Sequence, residues 1–446
     1  MDEIIGMVRS RLSRERMGGR VARGSLQTIL VNGTGAGASA LVQIGLAQTL
    51  GSKSAFGTYL LVMGWLYLAQ LFGKLELDVT SVRFIGSYVA TERWGLLRGF
   101  LRTSHSVVLG MSTAIAVLAV PGILWFSDKL ELKHHALPEA LLVACALLPV
   151  ATLLLLEGSV LQGFHRYLEA QLPLNLLRPI VFGLLLLVGV FVIGVKLTVP
   201  MAIGMNLVSA FAALCLALTW RRRAMPAEVR AAKPEYDKRT WARTAYPVFA
   251  VSLSQVVISQ QADIIVVGVM LTTAQAAVYG AASQLTMPVT LAASSVTFVA
   301  QSIIADLYAR EPARLQSLIR AVTWLSAALT IPIAAGLIVL GKPLLNLYGE
   351  GYAAGYTILV ILTIAQVVIG LVGSLAGYLL TMTAHEKEAA WIIGLSAALN
   401  LMLALILTPR FGPVGTASAT LIAALARTIA LKVYIGRAMG LKLPAF

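Results

Sequence analysis

Charged side chains inside long apolar segments are the residues of this sequence that could do chemistry. Asp263 lies deep within the apolar run 246–271, and Gln260 and Gln261 stand just before it. A charge at the centre of a membrane helix is unfavourable by about 3 kcal/mol or more, so it faces a partner or a water-filled cavity. A carboxylate in such a place is suited to holding a cation or a proton. Asp263 is therefore a candidate for ion coupling, and the two glutamines are candidates for substrate contact. The alternative for Asp263 is a structural hydrogen bond between two helices.

Glu157 and Arg178 form a second set of charges within apolar segments. Glu157 lies in segment 138–162 and Arg178 in segment 171–195, and both segments approach the turn at 163–170. The two side chains therefore either pair with each other or contact a substrate. For the second case, Glu157 is a further candidate for ion coupling, and Arg178 is a candidate for binding an anionic substrate.

Lys74, near the end of the second apolar segment, is another candidate for contact with an anionic substrate. Asp78 follows it by four residues, so the two side chains share one face of a helix. The alternative is therefore a local ion pair that has no role in binding.

The composition is that of a polytopic membrane protein. The chain has 446 residues, of which 58% are hydrophobic and 12% are charged, and its mean hydropathy is +0.83. Soluble proteins carry about 25% charged residues. A bilayer core of roughly 30 Å is crossed by a helix of about 20 residues, and apolar runs of that length follow one another along the chain.

We count twelve such runs and expect an all-α protein with twelve transmembrane helices in two six-helix bundles around a central cavity. The predicted spans are 26–50, 56–80, 104–126, 138–162, 171–195, 198–220, 244–271, 276–305, 319–341, 356–382, 389–408 and 414–436. The seventh and eighth spans form a hairpin, because the residues between them leave room only for an antiparallel re-entry.

The longest polar stretch divides the chain into two halves of six spans. We expect a basic interfacial segment at 1–24, an N-terminal lobe at 25–220, a cytoplasmic linker at 221–243 and a C-terminal lobe at 244–440. Paired halves of this kind are typical of secondary transporters.

The positions of the basic residues predict the orientation. With the N-terminus in the cytoplasm, most of the 35 Lys and Arg residues fall in cytoplasmic segments. The external loops then hold Lys53, Lys129, Lys133, Lys196, Lys342 and Arg410. Such a bias places both termini in the cytoplasm. The net charge of +15 comes from these membrane loops, so it does not indicate nucleic-acid binding.

The sequence shows no constellation that indicates catalysis, a cofactor or a bound metal. Residues 336–343 read GLIVLGKP, which is close to a phosphate-binding loop, but Pro343 stands where Ser or Thr is required. His134 and His135 lack a Cys or an acidic residue at metal-binding spacing. We therefore expect a protein that is not an enzyme, whose transport is passive or driven by an ion gradient or the membrane potential.

Four segments carry a resemblance to a known family. They read LAQTLGSKSAFGTYLLV at 46–62, followed by Val82-Arg83-Phe84, then QADIIVVGVMLTTAQAAVYGAASQL at 261–285, NLYGEGYAAGYTILVIL at 346–362 and LSAALNLMLALILTPRFGPVGTASAT at 395–420. These segments resemble the polysaccharide flippases of the O-antigen, Wzx-like type. The resemblance covers nearly the whole chain and extends to a superfamily that includes multidrug exporters and the lipid II flippase.

The resemblance implies two six-helix bundles around a central cavity that opens alternately to each side of the membrane. It implies an undecaprenyl-diphosphate-linked oligosaccharide as substrate, for the synthesis of lipopolysaccharide or exopolysaccharide. Membrane lipids, a polysaccharide polymerase and glycosyltransferases are the implied partners.

Three of the candidate residues match the family's pattern. Arg83 and Asp263 match motif positions, and Arg178 falls in a familiar Leu-Arg-Pro stretch. Arg83 therefore joins Arg178 as a candidate for substrate binding. The first span lacks an arginine in its apolar body, unlike the lipid II flippases, which argues against a peptidoglycan precursor as substrate.

Three other functions compete with this one. A cation-coupled small-molecule exporter has the same fold but needs uncompensated acids, whereas bases at least equal acids within these spans. A scaffold that holds glycosyltransferases through segment 221–243 predicts that charges in the spans can be neutralised freely. A membrane glycosyltransferase needs an acidic site on a loop, and the sequence shows none.

Overall fold

The computed structural model describes residues 31–125, 127, 137–257, 259–296, 312–373, 375–376, 379–380 and 386–439, and regular structure within these ranges is entirely helical. The all-α class predicted from the sequence is therefore confirmed. The basic segment predicted at 1–24 and the end of the eighth predicted span lie outside the described residues.

The helices lie in the following order along the residues that the structure describes. The first half forms α1 to α7, at 31–49, Lys53–Lys74, Leu77–Ala90, Trp94–Trp125, Leu137–Gly163, Tyr167–Val192 and Val199–Ala224. The short helix α8 follows at Ala227–Ala231. The second half forms α9 to α16, at Lys238–Val257, Gln260–Met270, Thr273–Leu285, 287–296, Pro312–Asn346, Tyr356–Val368, Glu386–Phe411 and Pro413–Met439.

Within the described ranges, nine helices have the length and hydropathy needed to cross a membrane. The bent pair α9 and α10 passes the same test when it is taken as one span, which makes ten. These helices make the chain a multi-pass membrane protein, and the count of twelve spans stays a prediction.

Polar caps set the beginnings of four helices that follow turns. Ser52, Thr198, Ser259 and Thr272 each accept a hydrogen bond from a backbone N–H in the first turn of the next helix. Such caps satisfy amide groups that have no partner inside the helix. The Thr272 cap begins α11 immediately after α10. Tyr279 of α11 donates a hydrogen bond back to Asp263 of α10, so these two helices form the hairpin expected from the sequence.

The second predicted span, 56–80, is not a single helix. Leu75 and Glu76 separate α2 from α3, and their φ angles of 47° and 56° lie in the left-handed region. That conformation is unfavourable by roughly 1–2 kcal/mol for a residue with a side chain. Across the break, Lys74 Nζ lies 2.7 Å from a carboxylate oxygen of Glu76 and 2.8 Å from one of Asp78. This ion-paired cluster holds the break in place.

The seventh predicted span, 244–271, is also interrupted. Its two parts, α9 and α10, meet at a bend of 54°. Ser259 caps the second part, since its side chain accepts a hydrogen bond from the backbone N–H of Ala262. Asp263 therefore lies in the first turn of α10 rather than in the middle of one long helix.

The two halves of the chain pack against each other where α2 begins, and we call this the far end. The 221–243 segment adjoins the other end of this part of the chain, since Trp241 Nε1 donates to the hydroxyl of Tyr88 in α3. Ser54 Oγ and Thr273 Oγ1 lie 2.7 Å apart there, in a hydrogen bond between the halves. Gln48 Nε2 donates to the carbonyl of Leu347 at 2.7 Å. The far end is therefore closed by direct polar contacts between the halves.

The segment 221–243, predicted as a cytoplasmic linker, contains helical residues and packs on the first half. α7 extends into it and α9 begins within it. The backbone N–H of Glu235 donates to the carbonyl of Gly95 at 2.9 Å, and Arg98 Nη1 donates to the carbonyl of Ala232 at 2.5 Å. These bonds fix the segment against the first turns of α4.

Candidate functional site

A polar cavity of about 510 Å³ lies between α1, α2, α6 and α7. Leu291 of α12 also lines it, so the cavity faces the second half of the chain. Tyr59 and Met63 of α2 line the cavity, whereas Ser54, earlier in the same helix, belongs to the far-end contact. The cavity therefore lies on the linker side of that contact. Its polar lining consists of Asn32, Ser39, Gln43, Tyr59, Asn175, Arg178 and Asn206.

Arg178 supplies the positive charge of this cavity. Its Nε and Nη2 donate to Asn206 Oδ1 at 3.2 and 3.0 Å. Among the described residues, no carboxylate lies within 4.0 Å of its guanidinium group. An amide oxygen satisfies part of the guanidinium's hydrogen-bonding capacity without neutralising its charge. The charge is therefore available to an anion that enters the cavity.

Asn206 is oriented by a second hydrogen bond on its other side. Its Nδ2 donates to the hydroxyl oxygen of Tyr59 at 3.1 Å, and the side chain is buried. Because the amide nitrogen is held by Tyr59, the amide oxygen points at Arg178. The three residues come from α2, α6 and α7, so this chain of bonds ties three walls of the cavity together.

An irregular turn of α6 precedes Arg178. Residues Pro173–Leu177 form a π turn, in which the backbone N–H of Arg178 donates to the carbonyl of Pro173. Pro179 follows, and it has no N–H to continue a regular α-helical ladder. Such wider turns change the direction in which later side chains point and recur at functional sites.

Close packing of α1 against this turn forms the cavity's edge. A Cβ at Gly35 would collide with the backbone carbonyl of Asn175, so only glycine allows this approach. Asn175 Nδ2 donates to Asn32 Oδ1 at 2.7 Å and to Gln171 Oε1 at 2.6 Å. The amide groups of two helices therefore meet beside Arg178.

Asp263 lies in a separate polar cluster within the second half. Its Oδ2 accepts hydrogen bonds from the hydroxyls of Tyr279 and Thr420, both at 2.8 Å. The residue is 2% exposed. Within the described ranges, no Lys, Arg or His lies within 4.0 Å of the carboxylate. The side chain of Asn400 also lies beside it, and Asn400 Oδ1 is buried with no hydrogen-bond partner among those residues.

This cluster brings together α10, α11, α15 and α16. Carboxylate, amide and hydroxyl oxygens are the ligands that hard cations prefer. A buried carboxylate without a basic partner is also a group that can take up a proton. The arrangement is therefore chemically suited to holding either a cation or a proton.

Gln260 and Gln261 lie near Asp263 in sequence but have other neighbours. Gln260 Nε2 donates to Thr286 Oγ1 at 3.2 Å. The backbone of Gln261 faces Gly64 of α2, where the halves approach closely. Neither glutamine is among the residues that line the Arg178 cavity, and their role in substrate binding stays a prediction.

Glu157 and Arg178 do not pair with each other, which was one of the two alternatives for these side chains. Glu157 Oε1 instead lies 2.7 Å from His105 Nε2 and 3.0 Å from Arg221 Nη1. Glu157 is fully buried, and the two partners come from α4 and α7. The reason is the direction of the side chain, because Glu157 faces α4 and α7 while Arg178 faces the cavity.

Lys74 and Arg83 also lie away from the cavity. The ion pair with Asp78, which was the alternative to substrate contact for Lys74, is present, and Glu76 joins it. Arg83 is exposed on α3. Neither base lines the cavity, so their contact with a substrate stays a prediction.

Sequence reasoning missed Asn206, which accepts hydrogen bonds from Arg178, and Tyr59, which orients Asn206. An asparagine inside an apolar span is itself a signal, because an amide in a membrane helix needs a partner. The same signal marks Asn175 and Asn400. Which residues these amides contact depends on helix packing and is not readable from spacing.

Residues 21–307 match the sequence model of a family described as polysaccharide biosynthesis protein. The chain belongs to the polysaccharide biosynthesis protein family. A search of curated protein sequences found no significant match to this chain.

Solved structures share the fold of this polysaccharide biosynthesis protein. An inward-facing multidrug resistance MATE family transporter of the MOP superfamily has a TM-score of 0.73 and 14% identity, over 90% of this chain and 94% of that chain. The lipid II flippase MurJ in an inward closed conformation has a TM-score of 0.70 and 16% identity, over 92% and 87%. A MOP superfamily transporter from Pyrococcus furiosus has a TM-score of 0.68 and 15% identity, over 94% and 95%. The fold is therefore that of MOP-superfamily transporters.

Proposed function

We propose that this protein carries an undecaprenyl-diphosphate-linked oligosaccharide across the bacterial cytoplasmic membrane by alternating access, for surface polysaccharide synthesis. One observation carries the proposal: Arg178, a base inside an apolar span, lines a polar cavity and has no carboxylate within 4.0 Å among the described residues. The family's description supports a substrate that belongs to polysaccharide biosynthesis.

The chemistry of such a substrate explains why a polar cavity is needed. Sugar hydroxyls cannot enter hydrocarbon without losing the hydrogen bonds that water gives them. Amide and hydroxyl groups on the cavity wall replace those bonds, while the isoprenoid tail stays in the bilayer. The guanidinium of Arg178 then holds a diphosphate oxygen by a charge-assisted hydrogen bond.

The orientation follows from the basic residues. The 221–243 segment carries many of them, so we place it and both termini in the cytoplasm. The far-end contact between Ser54 and Thr273 then closes the external side. In this arrangement the cavity receives its substrate from the cytoplasmic side, and transport requires the far-end contact to open.

We assign ion coupling to Asp263 rather than to Glu157. Asp263 is buried with neutral hydroxyl partners, so taking up a proton or a monovalent cation changes the net charge of the cluster from negative to neutral. Glu157 is already paired with Arg221. Because the Asp263 cluster joins four helices of the second half, its occupancy can bias how those helices pack.

A multidrug exporter of the same fold is the alternative, and the buried acid Asp263 is the observation that favours it. Cationic drugs need an acidic cavity, whereas Arg178 makes this cavity basic. The exporter would be favoured if an Asp263→Asn variant lost the ability to protect cells from cationic drugs while surface polymer stayed normal.

The test of the proposed function reverses the charge at Arg178. Arg178→Glu is expected to abolish surface polymer while membrane insertion stays normal, and lipid-linked intermediates should accumulate. Arg410→Glu, an exposed charge reversal at the far end, is the matched control and should retain polymer. Normal polymer with Arg178→Glu would remove the role of Arg178.

A further inference from the structure

A second cavity, of about 820 Å³, lies between α4, the end of α7 and the 221–243 segment. We call it the linker pocket. Its volume falls within the roughly 300–1,000 Å³ of typical small-ligand sites. The residues that line it are Arg98, Leu101, Arg102, Thr103, His105, Ser106, Val107, Arg221, Met225, Val229, Arg230, Tyr236 and Lys238. It is separate from the Arg178 cavity, with which it shares no lining residue.

The spacing of the α4 residues explains one wall of the linker pocket. Arg98, Arg102 and Ser106 follow one another at intervals of four, so they share one face of the helix. The opposite wall comes from the segment after α7, which supplies Arg230 and Lys238. Bases from two separate elements therefore face one space.

The positive charge of the linker pocket is largely uncompensated. Of the lining bases, Arg221 is paired with the buried carboxylate of Glu157. For Arg98, Arg102, Arg230 and Lys238, no carboxylate lies within 4.0 Å among the described residues, and none of the lining residues is acidic.

Backbone carbonyls hold two of these bases in place without neutralising them. Arg98 donates to the carbonyl of Ala232 at 2.5 Å, and Arg230 donates to the carbonyl of Arg222. A guanidinium has five N–H donors, so both groups keep donors for a ligand. Lys238 Nζ lies 5.7 Å from the ring centre of Tyr236, which orients the ammonium.

We propose that the linker pocket binds a phosphate-bearing ligand. Fixed guanidinium groups favour phosphate oxygens, with which they form charge-assisted and bidentate hydrogen bonds. The ligand is either the headgroup of an anionic phospholipid or a soluble diphosphate, since both present the same group. Because the pocket ties α4 to the segment between the two halves, its occupant stabilises the position of that segment.

The experiment measures binding to the full-length protein in an uncharged detergent. Retention of phosphatidylglycerol, relative to phosphatidylcholine, is measured by native mass spectrometry, and binding of inorganic pyrophosphate is measured by calorimetry. Arg102→Gln/Lys238→Gln removes two lining charges. Arg239→Gln/Arg243→Gln removes two exposed charges that do not line the pocket and is the matched control.

The first double variant is expected to weaken binding about tenfold or more, and the control less than about twofold. If the first double variant loses only phosphatidylglycerol binding, the ligand is a lipid headgroup. If it loses only pyrophosphate binding, the ligand is a soluble diphosphate. Equal binding by the two double variants, or no binding in either measurement by the wild-type protein, would overturn the proposal. Thermal melting of both variants checks that each remains folded.

Discussion

Gly57 of α2 lies directly against the backbone carbonyl of Thr273 at the start of α11, so that a Cβ at position 57 would collide with it. Ser54, one turn earlier, shares a hydrogen bond of 2.7 Å with the Thr273 side chain. The halves of the molecule therefore meet at the far end by backbone contact, which only glycine at position 57 permits.

A large side chain at Gly57 is expected to open the far end. Gly57→Leu should raise labelling of a Ser39→Cys reporter in the cavity by an external, membrane-impermeant thiol reagent about fivefold or more, because closure is blocked. The native Cys145 and Cys215 are replaced by Ala for this measurement. Gly86→Leu, at a glycine with open space around it, is the control and should leave labelling unchanged.

A disulfide across the far end is expected to lock it. Ser54 Oγ and Thr273 Oγ1 are 2.7 Å apart, so Ser54→Cys/Thr273→Cys places two thiols within bonding reach. Oxidation should stop transport, and a reducing agent should restore it. Each single variant serves as a control. Unimpaired transport in the fully oxidised protein would show that the far end does not need to open.

Neutralising Arg178 through its own partner is expected to weaken anion binding. Asn206→Asp is nearly isosteric and puts a carboxylate where Asn206 Oδ1 now lies, 3.0 Å from Arg178 Nη2. An ion pair then forms in the cavity, and the affinity for a diphosphate should fall about tenfold or more. The measurement is titration of the purified protein with undecaprenyl diphosphate. An unchanged affinity would mean that the charge of Arg178 is not used.

Replacing Asp263 by its amide is expected to remove the ion dependence of transport. In Asp263→Asn the amide oxygen still accepts hydrogen bonds from Tyr279 and Thr420, but the amide carries no negative charge to attract a cation or a proton. The transport rate should then no longer depend on sodium concentration or on pH. Glu157→Gln is the comparison and should keep the dependence, since Glu157 is already paired with Arg221. The reverse pattern would assign coupling to Glu157.

Composition and repeated apolar runs were enough to predict an all-α membrane protein. Helices satisfy every backbone hydrogen bond internally, which the hydrocarbon core of a bilayer requires. The Lys74 and Asp78 pair was also predictable, since a spacing of four fixes their relation within one helix. The break at Leu75 and Glu76 was not, because nothing in the local sequence requires a left-handed turn there.

Contacts between helices were harder to predict than contacts within them. A pair between Glu157 and Arg178 was one of two alternatives because their spans share a turn, yet Glu157 contacts His105 and Arg221. The rotation of each helix about its axis decides such pairs, and the sequence of one span does not determine it. The hydrogen bond from Arg178 to Asn206 was not predicted for the same reason.

The most direct measurement follows a fluorescent undecaprenyl-diphosphate-linked oligosaccharide in vesicles that contain the purified protein. A membrane-impermeant quencher reports which leaflet holds the sugar. Wild-type protein should bring inner-leaflet sugar within reach of the quencher, whereas Arg178→Glu should behave like vesicles without protein. Equal rates for the wild type and Arg178→Glu, or a wild-type rate no faster than that of empty vesicles, would contradict transport through the Arg178 cavity.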